Sequence, residues 1–340
     1  MLEALSRRAL VGVVALVFVA GCSTSPSSLT PGSSSSLSSQ SVRVPPGMRL
    51  LPGPAVAGPI LVPLFPHQRN LPHVWPDRRR HHHPEVLFSS DATTNEVLMY
   101  NPNTVNPSPK GSITTGISTP FGLAVDKSST LYVANLGNST ITIYPKGHTT
   151  PSLTISTGID GPYGVGVDSA GNVFVSNLNN NTITAYKAGQ TSPYETISFS
   201  TEGQAVGLNV DGNDNVWVAC DTSSAVFEIP KGSSTPKNAG LSGLNGTIGI
   251  SFGPSDLMYV SNFGGNNVQV YKYGTTSPET TITSGINGPT QNGVTHLGYF
   301  FQSNQNVNVV GYKPGQTSPF STLSGNSGPT GVASIPLVAK

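Results

Sequence analysis

The sequence has few charged residues, and arginine is missing from most of it. Charged residues make up only 10% of the 340 residues, whereas Gly and Pro number 38 and 29. No Arg occurs after Arg80, and residues 85–340 contain nine Lys against fourteen Asp or Glu, a net formal charge of −5. Nucleic-acid binding needs Lys and Arg grouped on one surface, and base recognition relies on Arg. We therefore expect no nucleic-acid partner.

Cysteine is almost absent as well, which excludes a fold held by disulfides. The two cysteines are Cys22 and Cys220. Cys220 ends the apolar run Val216–Cys220 and has no His near it in sequence. A nucleophilic thiol needs a nearby base and a lowered pKa, whereas an isolated Cys in a strand behaves as a small hydrophobe. We predict that Cys220 is buried and unreactive.

The longest apolar run near the start is too short to cross a membrane. It covers the 12 residues from Ala9 to Ala20 and follows Arg7 and Arg8, whereas a spanning helix needs about 20 residues. The pattern predicts a signal peptide over residues 1–21. Val19-Ala-Gly-Cys22 resembles the bacterial lipobox, and the resemblance implies a lipid on Cys22 and removal of the residues before it. The alternative is an ordinary secretory signal with a chance cysteine.

Residues 22–84 have the composition of a disordered tether. A Ser-rich tract is followed by frequent prolines, and such a segment cannot bury a core. Six Arg against one Asp give residues 23–84 a charge of +5. The Arg78–His83 run has two interpretations. Either it contacts an anionic surface or a metal ion, or it is a solvated part of the linker. The expected location is the extracytoplasmic cell envelope. The Ser that follows Cys22 implies, by the same resemblance, the outer membrane of a Gram-negative host.

The rest of the chain repeats itself every 42 residues, and such periods are typical of propellers and solenoids. Each unit begins with a run such as Phe121–Asp126 or Tyr163–Asp168. A second run follows, as in Leu131–Asn135, and then a third, as in Thr140–Tyr144. A shorter fourth run comes after a Gly- or Pro-containing turn. Alternating apolar residues between turn residues predict four antiparallel strands per unit.

The two ends of the repeat region complement each other. The first unit has runs two to four, including Val86–Asp91 and Glu96–Tyr100, but lacks a first run. The last unit has only a first run, Gly331–Ile335. Together they make one blade, which gives six in all. We therefore predict an all-β, six-bladed β-propeller over residues 85–340, closed by the C-terminal strand. A solenoid would need capping units, and none is visible.

The repeat resembles a known family of propellers. Pro-x-Gly-x-x-x-Asp, Val-x-Val-Ser/Ala-Asn and Asn-x-x-Ile-x-x-Tyr are similar to the NHL repeat, and to the six-bladed group that includes gluconolactonase-like enzymes and virginiamycin B lyase. The resemblance implies the fold and leaves the function open, because binding modules and enzymes share it. The Arg that NHL repeats carry in the third strand is absent, with Thr140, Thr182 and Ala225 near that place.

Two sets of repeated polar residues have structural explanations. Asp126, Asp168 and Asp211 follow the first runs and suit Asx-turns. A second set of polar residues lies at the ends of the second runs. Either these residues cap turns, or they form a polar ring that binds a ligand. The set comprises Asp91, Asn135, Asn177, Asn262 and Asn304, with Cys220 as the sixth member.

Catalytic candidates are few. The resemblance implies carboxylate-held cations in the related enzymes, but the residues expected to enter the first strands are not acidic: Phe121, Tyr163, Ala205, Ile248, Gln291 and Thr330. The repeat region has two histidines, His148 and His296. His296 aligns with the apolar positions Val125 and Val167, where a packed His competes with a catalytic one. Glu202 and Asp160 are the acids expected nearest to it. We expect neither a metal nor another cofactor.

The sequence favours binding over catalysis. Loops before the first strands and between the second and third are expected to open on one face, where they would present Phe121 and Tyr163 with several Asn. Uncharged aromatic and amide groups suit a glycan, peptide or protein ligand. We therefore expect a monomeric, lipid-anchored binding or scaffold module. A metal-dependent lactonase or a virginiamycin B lyase-like enzyme is the alternative.

Overall fold

The computed structural model describes residues 48–51, 60–63 and 85–335. Cys22 and the Arg78–His83 run lie outside the described residues. Inside the predicted tether, β1 (Met48–Leu51) and β2 (Ile60–Pro63) pair as a short antiparallel hairpin. No helix among the described residues combines the length and hydropathy needed to cross a bilayer.

The repeat region is all-β, as predicted, and forms six sheets of four antiparallel strands. We number these sheets as blades in chain order. Blade 1 contains β3 (Val86–Asp91), β4 (Glu96–Tyr100), β5 (Gly111–Ile113) and the last strand, β26 (Pro329–Ile335). Blade 2 contains β6 (Pro120–Val125), β7 (Leu131–Asn135), β8 (Thr140–Tyr144) and β9 (Leu153–Ile155). Blade 3 contains β10 (Pro162–Val167), β11 (Val173–Asn177), β12 (Thr182–Tyr186) and β13 (Pro193–Ser198).

The remaining three blades have the same strand order. Blade 4 contains β14 (Ala205–Val210), β15 (Val216–Cys220), β16 (Ala225–Ile229) and β17 (Lys237–Asn238). Blade 5 contains β18 (Thr247–Gly253), β19 (Leu257–Asn262), β20 (Asn267–Lys272) and β21 (Thr280–Ile282). Blade 6 contains β22 (Pro289–Val294), β23 (Phe300–Asn304), β24 (Asn308–Tyr312) and β25 (Ser321–Leu323).

The blades form a closed ring. The first strand of each blade contacts the first strand of the next, in the cycle β6, β10, β14, β18, β22, β26 and back to β6. Ile335 pairs with Val86 and Pro329 with Asp91, so the last strand completes the first blade. The predicted closure is confirmed, and blade 1 has no unpaired edge between its terminal fragments.

A bulge near the start of every first strand brings neighbouring blades close together at the centre. In β14 the pairing is interrupted between Ala205 and Leu208. A Cβ added to Gly207 would lie 1.9 Å from the Ile248 carbonyl oxygen of the next blade. Five of the six blades have Gly at this position because the backbones leave no room for a side chain. The exception is blade 6, where the residue is Gln291.

Tyrosines at the ends of the third strands join the blades at a larger radius. Tyr144 and Tyr186 are fully buried, and each hydroxyl donates to a backbone carbonyl before the first strand of its own blade, both at 2.7 Å. Burial raises the pKa of Tyr144 to about 12. Equivalent bonds occur in blades 1, 5 and 6, whereas Ile229 occupies the position in blade 4. These contacts fix the loops that lead into the centre.

Candidate functional site

The Asn residues that end the second strands are buried loop caps. The side-chain oxygen of Asn135 accepts from Ser118 N at 3.0 Å, and that of Asn177 accepts from Asp160 N at 3.0 Å. Asn262 and Asn304 accept in the same way, at 3.3 and 3.0 Å. All four are 0% exposed. The arrangement matches the predicted turn capping and leaves these side chains away from the surface.

Cys220 takes the same position in blade 4 and is 0% exposed, as predicted. Burial raises the pKa of its thiol to about 12, with the charges of Glu202 and Asp221 adding to the shift. The thiol therefore stays protonated at neutral pH.

The Asp residues after the first strands form the predicted Asx-turns. Asp126 Oδ1 accepts from the backbone N–H groups of Ser128 and Thr130, both at 2.8 Å. Asp168 and Asp211 make the same pair of bonds. Asp211 is also held through Oδ2 by Trp217 Nε1 and by Tyr273 Oη, both at 2.9 Å.

Phe121 and Tyr163 do not lie on an accessible face, which corrects the expected exposure. They are 5% and 4% exposed, and their ring centroids are 4.8 Å apart. The equivalent positions in the other blades are Val206, Ile248, Thr290 and Thr330, and none is more than 5% exposed. Ala205 and Gln291, expected at these positions, lie one residue away from them. The bulky groups fill the centre of the ring at the starts of the first strands.

Gln291 crosses the centre of the ring at the same end. Its Nε2 donates to the backbone carbonyl of Tyr163 at 2.7 Å. Gln291 belongs to blade 6 and Tyr163 to blade 3, which face each other across a six-bladed ring. The carbonyl is available because Tyr163 lies in the bulge, outside the β10–β11 ladder. The propeller is therefore closed at this end.

Serines on the second strands explain why this carbonyl needs a distant donor. Ser90 Oγ donates to the bulge carbonyl of Phe121 in the next blade at 2.6 Å. Ser176 makes the same contact with Val206. The equivalent residue before Tyr163 is Ala134, which has no hydroxyl. Gln291 supplies the missing donor.

The other end of the ring opens into a channel of about 450 Å³. Its walls are the second halves of the first strands, and Gln291 contributes at its inner end. The mouth lies among the turns after those strands, on the face opposite the one that the sequence suggested. The volume falls in the range of small-molecule sites.

The mouth of the channel is acidic. Four carboxylates contribute to the lining, from Asp168, Asp211, Asp214 and Asp256, against one ammonium group, that of Lys127. Lys127 Nζ donates to the carbonyl of Ser169 across the rim.

Asp214 has a cationic partner beside the mouth. Lys231 Nζ is 2.8 Å from Asp214 Oδ2. Hydrogen bonds from Lys231 and Ser169 lower the pKa of Asp214 despite an opposing contribution from partial burial. Among the described residues of the rim, carboxylates therefore outnumber ammonium groups.

Two buried oxygens on the channel-lining residues have no hydrogen-bond partner within the described chain: Ser251 Oγ and Asn292 Oδ1. Ser251 is 2% exposed and Asn292 is 5% exposed. The residues equivalent to Asn292 in the other blades are apolar, such as Leu123. Those equivalent to Ser251 are Ala or Gly except in blade 4, which has Asn209. An unpaired buried polar group costs about 1–3 kcal/mol.

His296 lies in the turn after β22, which corrects its predicted position. The residue equivalent to Val125 is Val294, so the predicted alignment was two residues off. The His296 ring contacts the Glu85 carboxylate, and its backbone N–H donates to the same oxygen at 3.2 Å. Glu202 precedes β14 and lies at the opposite end of the first strands, so the structure does not bring the two catalytic candidates together.

Sequence reasoning missed Ser251 and Asn292 as parts of the central site, and it placed Gln291 at the start of a first strand without assigning it a contact. Gln291 and Asn292 replace a Gly and an apolar residue of the other five blades, and that departure is the signal that could have identified them. The Ser251 position is polar in blade 4 as well, where the residue is Asn209. Among the described residues, no group of three or more His, Cys, Asp or Glu could hold a metal ion.

Comparison with known proteins supports the fold. No family model matches the chain, and no curated protein matches it. A chain in the crystal structure of a nidogen/laminin complex is 13% identical with a TM-score of 0.63, and the match covers 75% of this chain and all of that one. A functionally unknown protein from Desulfotomaculum acetoxidans is 15% identical with a TM-score of 0.50, covering 67% and 75%. Virginiamycin B lyase from Staphylococcus aureus is 12% identical with a TM-score of 0.50, covering 66% and 76%. The resemblance to this group of propellers is confirmed for the fold alone.

Proposed function

We propose that the protein is a surface-anchored lipoprotein whose propeller is a non-catalytic binding or scaffold module for an extracytoplasmic glycan, peptide or protein. The single observation that carries the binding role is the channel of about 450 Å³, which Gln291 closes at one end. A concave pocket of this volume, closed at one end, can enclose a small ligand or one group of a larger ligand.

The fold is compatible with such a role. A chain of this fold occurs in a nidogen/laminin complex, so the architecture is found in an assembly of proteins. Propellers present loops from a rigid ring, and function is set by the residues placed on it.

The anchor rests on the sequence. The 12-residue apolar run and the lipobox-like residues before Cys22 support lipidation, and residues 23–84 would link the lipid to the propeller. Acyl chains on one cysteine can hold a protein stably at a membrane surface when two or more are attached.

The binding role is tested with the detergent-solubilised full chain on glycan and peptide arrays. Ligands found there are then measured against Ala124→Trp, which places a bulky ring in the channel wall, and against Ala188→Trp, the same change at an exposed turn. We expect binding to be lost in the first variant and kept in the second.

Two results would count against this proposal. If Ala124→Trp and Ala188→Trp bound the ligand equally well, the channel would not be the binding site. A melting shift specific to Ca²⁺, Mg²⁺ or Zn²⁺ that is abolished by His296→Val would favour the lactonase- or lyase-like alternative, because a specific ligand stabilises the native state by mass action.

A further inference from the structure

We propose that the outer edge of blade 3 binds an extended peptide segment, which it adds to its sheet as a fifth strand. The site is separate from the channel, so the inference goes beyond the proposed function and does not depend on it. Three observations lead to it: the length of the outer strand β13, the direction of its backbone groups, and the exposure of that edge.

The outer strand of blade 3 is at least twice as long as that of any other blade. β13 has six residues, whereas β5, β9, β21 and β25 have three each and β17 has two. A very short outer strand protects a sheet from pairing with another chain, because it presents few unpaired N–H and C=O groups. Blade 3 lacks this protection.

Two buried side chains hold β13 against its blade up to the end of the strand. Ile197 is buried, and so is Phe199, which directly follows the strand. The Phe199 ring packs edge-on against the Phe227 ring of blade 4, with 6.0 Å between the ring centroids. An edge that is fixed in this way loses little conformational freedom when another strand pairs with it.

The pairing register shows which backbone groups point away from the blade. Phe199 N donates to the carbonyl of Asn181 at 2.9 Å, and these residues are opposite each other when the β12–β13 register is continued by one step. Opposite residues of an antiparallel pair alternate between bonded and non-bonded positions. Ile197 is therefore bonded to β12, whereas the N–H and C=O groups of Thr196 and Ser198 point outward.

Blade 6 shows the same outward direction at the equivalent position. Thr322 of β25 takes the place of Thr196, and its backbone N–H donates to Asn106 Oδ1 of blade 1 at 2.8 Å. The neighbouring blade therefore covers the edge of blade 6. In blade 3, by contrast, no described residue from another blade hydrogen-bonds to the backbone of Thr196 or Ser198.

The groups along the edge of blade 3 define the partner as a polypeptide. N–H donors and C=O acceptors at the spacing of a strand are matched by another extended backbone, and main-chain hydrogen bonds give the affinity in this mode of recognition. The side chains of Tyr194, Thr196 and Ser198 are exposed. Because aromatic and β-branched residues pack well as cross-strand pairs, the partner segment carries β-branched residues and lacks Pro at the pairing positions.

The test uses the fluorescein-labelled peptide Lys-Thr-Val-Thr-Val-Thr-Lys, titrated with the detergent-solubilised full chain and followed by fluorescence anisotropy. A second peptide has the same side chains but carries N-methyl groups on its five central residues, which removes the N–H donors. We expect saturable binding of the first peptide. Binding of the methylated peptide should be weaker by about tenfold or more, the loss expected for one or two main-chain hydrogen bonds.

Variants locate the binding at the edge of blade 3. Thr196→Pro removes an outward N–H, a change that edge strands tolerate. Thr154→Pro is the matched control, because Thr154 has the equivalent position in the short strand β9. We expect peptide binding to fall by about tenfold or more in the first variant and to stay unchanged in the second, with melting curves as the check on folding. If Thr196→Pro does not fold, the methylated peptide still tests the inference on the parent chain.

The channel variant separates this inference from the proposed function. Ala124→Trp, which places a bulky ring in the channel wall, should leave binding of the unmethylated peptide unchanged. A ligand that requires the channel and a peptide that requires the edge can therefore each be found without the other.

Four outcomes would overturn the inference. No saturable binding of the unmethylated peptide up to about 1 mM would show that the edge is not a peptide site. Equal binding of both peptides would show that main-chain hydrogen bonds are not used. Equal effects of Thr196→Pro and Thr154→Pro would place the peptide elsewhere. A parent chain that is dimeric by light scattering, and monomeric as Thr196→Pro, would make a second copy the occupant of the edge.

Discussion

Replacing Gln291 by Gly tests whether one side chain closes the ring. The substitution copies the residue found in the other five blades but removes the donor to the Tyr163 carbonyl. A buried carbonyl left without a donor costs about 1–3 kcal/mol. Glycine in a strand costs about 0.5–1 kcal/mol more through backbone freedom in the unfolded chain. We therefore expect the free energy of unfolding to fall by about 2–4 kcal/mol in urea denaturation.

A second substitution identifies the carbonyl as the partner. Ala134→Ser supplies a hydroxyl at the position from which Ser90 and Ser176 reach the bulge carbonyls of their neighbours. In the Gln291→Gly background this hydroxyl can donate to Tyr163. We expect it to restore about 1 kcal/mol, the usual net contribution of one hydrogen bond.

The double-mutant cycle provides the control. In the parent chain Tyr163 already has its donor, so Ala134→Ser alone should not stabilise the protein. The difference between the two backgrounds is the coupling energy, and about 0.5 kcal/mol or more is expected for residues that share a partner. A coupling energy near zero, or a Gln291→Gly variant as stable as the parent, would refute the assignment.

Three further predictions concern the anchor, the closure and the tyrosines. Cys22→Ala should move the protein from the membrane to the soluble fraction, as judged by fractionation and immunoblotting, and persistent membrane association would contradict lipid anchoring. Deleting Thr330–Lys340 should expose the edge of β3 in blade 1, with loss of cooperative thermal unfolding or aggregation, and an unchanged melting curve would contradict closure by β26. The pKa values of Tyr144 and Tyr271 are raised to about 12, so the unfolded chain ionises them first and stability should fall between about pH 10 and pH 12. Denaturation midpoints that stay level across this range would show that the two hydroxyls titrate normally.

The ring could be predicted from the sequence because five of its six blades are local. Four strands and their turns lie within 42 residues, and alternating apolar residues mark every strand. The predicted limits of β3 (Val86–Asp91) and β4 (Glu96–Tyr100) are those of the structure. The pairing of the two terminal fragments could be predicted because the first unit lacks a first strand and the last unit has only that strand.

Blade 6 was misaligned because it lacks the residues that mark the repeat. Gln291 replaces the usual Gly, and Thr295 takes the position of Asp126. Without these markers the alignment of blade 6 shifts by two residues, which places His296 in the apolar position that Val294 occupies.

The open face could not be read from the sequence. It depends on how side chains from opposite blades meet at the axis, as Gln291 and Tyr163 do, and these residues are 128 positions apart. Aromatic residues in loops usually suggest a binding surface, but here Phe121 and Tyr163 fill a narrow centre. Whether such aromatic residues form a binding surface or fill the centre depends on the radius of the ring.

The blade shared by both ends of the propeller has a consequence for how the chain folds. Ser90 and Thr330, which face each other in blade 1, are 240 residues apart in sequence. Closing a loop of that length costs about 4 kcal/mol more entropy than a four-residue hairpin. The five other blades can form as local hairpins while the chain is still emerging, whereas blade 1 must wait for its last strand. A circular permutant that links residues 335 and 85 through a short connector and opens the chain between two other blades would make this pairing local.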